Sequence, residues 1–205
     1  MLARWLPQSP LARSVALVSL VLTVAVGAFA LWRDFGRSNE TLVGGGFSLV
    51  DQHGQPRTDQ DFRGRFMLVF FGFTNCPDIC PVGLQTMSGA LDLLGPKAEP
   101  VTPIFITVDP ARDTSAVLRD YIVDFHPRLV ALTGSAEAIG SVARAFRVYY
   151  AKATGTTAPS DPADYLMDHT ARIYLMGADG SYVTSFEPGI SARDMADRLA
   201  EAAGL

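Results

Sequence analysis

Cys76 and Cys80 are the only two cysteines in a chain of 205 residues, and they stand four positions apart in FGFTNCPDICPVGL. The run MLVFFGF before them is apolar and rich in strand formers, and Pro77 suits the opening residue of a helix. Cys76 is therefore expected where a strand gives way to a helix. Unpaired amides and the positive end of the helix dipole favour a thiolate over a thiol at such a place. Residues four apart share one helix face, with Cβ atoms ~5–6 Å apart, so both sulfurs reach one small ion. Modest adjustment would also let them close a disulfide. Two thiolates select soft or borderline metals, Cu(I) and Zn(II) first. A pair of plain core cysteines is the bland alternative, but neither residue lies within an apolar stripe.

A third donor has to come from elsewhere, and the chain has three histidines. His53 lies in a polar turn beside Gly54 and reads as solvated surface. His126 stands between Phe125 and Pro127, where a helix must end, and its plain role is a C-terminal cap that favours the cationic ring. His169 follows a long polar loop and opens the apolar strand ARIYLM, and the start of that strand can approach the helix carrying the cysteines. Spacing alone leaves both His126 and His169 open, with His169 the better placed.

Alternating patterns supply the frame. GFSLVDQHGQPRT reads as a hairpin around His53-Gly54, and MLVFFGF (67–73) as a central strand covered on both faces. A helix follows through Val82, Leu84, Met87, Leu91 and Leu94 to Gly95-Pro96. VTPIFITVD (101–109) reads as a strand, residues 114–125 as a helix capped by Thr114, 129–134 as a strand and 135–148 as a helix. YYAKA is a short strand, 154–165 a loop, ARIYLMGADGSYVTSFEP a hairpin and ISARDMADRLAEAA the last helix. This order predicts one α/β domain, a mixed sheet flanked by helices. Asp109 and Asp113 in VDPARD fall at a strand end, where an Asp turn and a helix cap account for them.

Composition narrows the function. Arg4 and Arg13 precede the apolar N-terminal run, so the remaining chain carries 15 basic against 21 acidic residues, or −6, a poor match for nucleic acid. The 19 residues from Ser14 to Trp32 contain no charge, enough for a helix to cross a ~30 Å hydrocarbon core. The expected organisation is a cytoplasmic segment 1–13, a transmembrane helix 14–32, a tether 33–45 and a folded body 46–205. Ala28-Phe29-Ala30 also resembles a signal-peptidase site, so a cleaved signal is the rival reading. Either way the body is exported, although the flanking charges favour this orientation by only one residue.

FGFTNCPDICP, TVDPARDT, DFHPRLVALTG and DHTARIYLMGADG together, in this order over about residues 45–205, resemble the SCO/SenC family of copper chaperones. The resemblance implies a thioredoxin-like fold and a membrane-tethered domain on the extracytoplasmic side, in the periplasm or the intermembrane space. It implies copper, as Cu(I) and Cu(II), held by Cys76, Cys80 and His169. It also implies assembly of the binuclear copper centre of cytochrome c oxidase subunit II, with the copper donor unspecified. For Asp109 and Asp113 it implies an outer hydrogen-bonding or docking role, about as well supported as the turn reading. Asp168 is placed to orient His169 through its other ring nitrogen, or is an ordinary surface acid. Cys76 and Cys80 also suit a redox-active pair, so thiol–disulfide reduction of the oxidase subunit or another client is the alternative function. The chain departs from thioredoxin, with one more residue between the cysteines and Asp168-His169-Thr170 in place of the facing proline, and both changes favour metal over general disulfide exchange. A peroxidase of the related peroxiredoxin type fits poorly, since Thr74-Asn75-Cys76 lacks its Thr-x-x-Cys spacing.

Overall fold

The computed structural model describes residue 14 and residues 17–28, 43–153 and 165–205. Met1–Glu40 and Thr41–Leu205 form separate units. In the first, residues 17–28 are helical and exposed, and among the described residues no helix is long and apolar enough to cross a membrane. The remainder of the expected 14–32 span, segment 1–13, most of the 33–45 tether and nearly all of the 154–165 loop lie outside the described residues.

The second unit is built on a seven-stranded sheet. Its strands are β1 (Ser48–Asp51), β2 (Pro56–Thr58), β3 (Phe66–Gly72), β4 (Val101–Thr107), β5 (Val130–Thr133), β8 (Ile173–Met176) and β9 (Tyr182–Phe186), in the order β2-β1-β5-β4-β3-β8-β9. β3, β4 and β5 pair in parallel, and the other strand pairs of the sheet are antiparallel. The unbroken apolar run of β3 is explained by this position, since Met67 through Gly72 are all buried between two neighbouring strands. Helices α1 (Ile79–Leu94), α2 (Ser115–Tyr121), α3 (Ala136–Ala145) and α4 (Ala192–Ala203) flank the sheet, α1 packing on α4.

Capping follows local chemistry. Thr114, Ser135 and Ser191 each accept an amide proton from the first turn of α2, α3 and α4, and Gly204 ends α4 at φ 66°. On α1, Leu84, Met87 and Leu91 face the core, while Val82, expected among them, is 45% exposed. Phe70, Phe71, Phe105 and Phe146 are fully buried, each contributing about 1.5–3 kcal/mol of hydrophobic stabilisation. The result is a rigid floor of strand and helix beneath the cysteines. A second, two-stranded sheet stands beside it, β6 (Tyr150–Lys152) paired antiparallel with β7 (Met167–His169).

Candidate metal centre

β3 ends at Gly72, and a tight turn follows in which Cys76 N–H donates to the Phe73 carbonyl at 3.3 Å. The helix starts later than Pro77 implies. Asp78 is its N-cap with φ −140° and ψ −75°, so Pro77 sits before the cap and Ile79 is the first helical residue. Cys76 therefore lies outside the helix, and the two cysteines do not share a helical face. They meet because the turn folds back: Cys80 N–H donates to Cys76 Sγ at 3.4 Å. The Asp78 side chain makes no capping bond, so the Cys76 sulfur takes up one of the first-turn amides.

His169 does not open the apolar strand as expected. It closes β7, a separate three-residue strand, with Tyr150 of β6 as its register partner. From there its Nε2 lies 3.3 Å from Cys80 Sγ. Donor atoms of Cys76, Cys80 and His169 all lie within 4.8 Å of one another, the one such group of three among the described residues. Nδ1 of His169 lies 3.2 Å from the Thr170 carbonyl, which can only accept, so Nδ1 carries the proton and Nε2 presents its lone pair to the sulfurs. The ring is caged by Phe73, edge-on at 5.8 Å and 88°, and by Phe70 at 6.4 Å.

This packing sets the protonation states. Burial, opposed by the Thr170 carbonyl and the Asp168 charge, holds the His169 pKa below 6.5 and keeps the imidazole neutral, as a ligand must be. Cys80 is 0% exposed, and burial first, then the Cys76 side chain beside it, push its thiol well above its ordinary value of 9.0. At Cys80, therefore, desolvation favours the protonated thiol. A soft cation supplies the missing charge, and two sulfurs with one imidazole form the low-coordinate donor set that Cu(I) accepts. The other histidines are elsewhere. His53 lies in the exposed β1–β2 turn. His126 accepts Arg128 N–H through Nδ1 at 3.2 Å, and burial with the Arg128 charge lowers its pKa, so it is not the cationic cap expected.

The SCO1/SenC family model matches residues 36–204. The chain belongs to the SCO1/SenC family. A mitochondrial SCO2 homolog from Bos taurus is 41% identical over 208 residues, covering 94% of this chain and 76% of that protein. Bradyrhizobium japonicum ScoI with copper bound is 41% identical with a TM-score of 0.70, over 78% of this chain and 99% of that one. Yeast Sco1 with copper bound is 36% identical with a TM-score of 0.70, over 78% of this chain and 87% of that one.

In this SCO1/SenC chain the three acids divide. Asp113 is 1% exposed and accepts from Thr74 N–H at 3.0 Å, Thr74 Oγ1 at 2.6 Å and Thr107 Oγ1 at 2.6 Å. It braces the Cys76 turn against the end of β4 rather than capping a helix. Asp109, 3% exposed, pairs with Arg112 and accepts from Tyr165 Oη at 2.8 Å. Asp168 is exposed and touches His169 only through its charge, since the other ring nitrogen belongs to Thr170. Sequence reasoning missed Phe70, Phe73 and Thr170 around the imidazole, and Gly72 beneath the sulfur. An isolated glycine inside a strand is itself a sign of close approach.

Proposed function

We propose that this protein is a copper carrier that holds one copper ion through Cys76, Cys80 and His169 and delivers it to the binuclear copper centre of cytochrome c oxidase subunit II. The observation that carries this reading is the meeting of two sulfurs and one neutral imidazole within 4.8 Å. Membership of a family with copper-bound structures supports the choice of metal. Copper is the cargo: Cu(I) is satisfied by the soft donors, and Cu(II) draws on the imidazole as well. The uncharged run from Ser14 to Trp32 supports an N-terminal anchor, with the body on the extracytoplasmic side.

A second activity has its own support. Both cysteines are free thiols at one turn, so closing Cys76–Cys80 could supply two electrons and two protons to a client disulfide. Closure consumes both sulfur donors, which makes metal binding and reduction exclusive states. Reduced protein should bind about one Cu(I) and the disulfide form essentially none; equal loading of both forms would contradict the site. Alkaline phosphatase fused after Leu205 should be active and membrane-bound, and an inactive fusion would sink the topology.

A further inference from the structure

β7 has three residues and pairs with β6, which also has three. A two-stranded ribbon of this size is marginal by itself, yet it carries the imidazole that must face the sulfurs. Something has to fasten it to the body. Tyr165 lies two residues before β7 and four before His169, and three groups grip it. Its hydroxyl donates to Asp109 Oδ1 at 2.8 Å. The Arg112 guanidinium carbon lies 3.7 Å from its ring centroid, and Lys152 Nζ lies 3.8 Å from it. Asp109 and Arg112 follow β4, whereas Lys152 belongs to β6, so the ring joins the body to both strands of the ribbon. Arg112 also lies 5.9 Å from the Phe73 ring, which meets His169 edge-on at 5.8 Å. The grip thus reaches the ligand twice, along the chain and through packed rings.

We propose that Tyr165 is a positioning residue for the metal centre: clamped by Asp109, Arg112 and Lys152, it holds β7 so that His169 Nε2 faces Cys80 Sγ. The inference rests on the copper reading above. Loosening the latch costs the third donor while leaving both sulfurs in place, so it bears on Cu(II) and spares Cu(I), which two thiolates hold.

The test is Tyr165→Phe and Tyr165→Ala in the full chain, each titrated with Cu(I) and Cu(II) beside wild type. Tyr165→Phe keeps the ring and its cations and removes only the bond to Asp109, so folding should survive even if the alanine variant suffers. Cu(II) affinity should fall on the order of 10-fold in Tyr165→Phe and nearer 100-fold in Tyr165→Ala, the range seen when groups that orient ligands are lost. Cu(I) affinity should change far less. A 10-fold selective loss of Cu(II) raises the copper midpoint potential by about 59 mV. Wild-type Cu(II) affinity and absorption in both variants would overturn the proposal. Equal weakening of both oxidation states would also overturn it, by showing a general folding role. If wild type itself binds no copper at Cys76, Cys80 and His169, the site reading fails and takes the latch with it. Failure in the variants alone removes the latch and leaves that reading standing.

Discussion

Gly72→Ala should damage the metal centre more than any other single-methyl addition in β3. A Cβ at position 72 would lie 2.7 Å from Cys80 Sγ and 2.8 Å from Phe105 Cε2, whereas ordinary contact begins at 3.4 Å. The sulfur must therefore retreat by about 0.7 Å and the ring edge by about 0.6 Å. Neither has room, because Cys80 and Phe105 are both 0% exposed. Gly72 is ordinary strand, paired with Thr107, so the cost is steric rather than conformational. Overpacking of this kind costs about 1–3 kcal/mol, which lowers Tm by roughly 2–12 °C for a domain of this size. The ligand displacement matters more, since metal–ligand distances tolerate only about 0.2 Å. Thermal unfolding followed by circular dichroism, with Cu(I) competition titration and the Cu(II)–thiolate absorption, reads both effects. A stable variant with wild-type copper affinity and spectrum would refute the packing around Cys80.

Three further outcomes follow from the site. His169→Ala should abolish the Cu(II)–thiolate absorption and weaken Cu(I) only modestly, while His126→Ala and His53→Ala leave both intact; the reverse pattern in Cu(II) titrations would displace His169 as the ligand. The raised Cys80 pKa means that the apo thiol keeps its proton at neutral pH, so Cu(I) loading must release it. Apparent affinity should therefore rise with pH, by roughly tenfold per unit for each proton displaced, and a flat profile in competition titrations would contradict the buried thiol. Asp113→Ala strands the amide and hydroxyl of Thr74 and the hydroxyl of Thr107, so Tm should fall by several degrees, with Asp113→Asn recovering much of the loss; an unchanged Tm in the alanine variant would remove the brace.

The sheet was legible because its elements carry unambiguous patterns. MLVFFGF has no polar residue to place on a solvated face, and Thr114, Ser135 and Ser191 are capping residues immediately before apolar-periodic helices. The β6–β7 ribbon was legible only by half. YYAKA reads as a strand, but β7 is three residues long and merges with ARIYLM by eye, so its partner was hidden and His169 was assigned to the wrong strand. The helix start was misplaced because Pro77 is compatible with two positions, and only the unusual backbone of Asp78 chooses between them. The spacing of Cys76 and Cys80 predicted their proximity through a helical face they do not share. Burial of the Cys80 thiol was invisible because the sulfur packs against Gly72, eight positions before it, where a Cβ would lie 2.7 Å from it. His169 as third ligand came from family resemblance, since spacing alone left His126 open.

The central claim is that one copper ion is bound by two sulfurs and one imidazole of this chain. X-ray absorption of the reduced protein loaded with one equivalent of copper tests it most directly. Cys76, Cys80 and His169 predict two sulfur scatterers and one imidazole nitrogen per copper, with the imidazole signature absent from His169→Ala and retained in His126→Ala. A coordination shell without sulfur, or an imidazole signature that survives His169→Ala, would contradict the account.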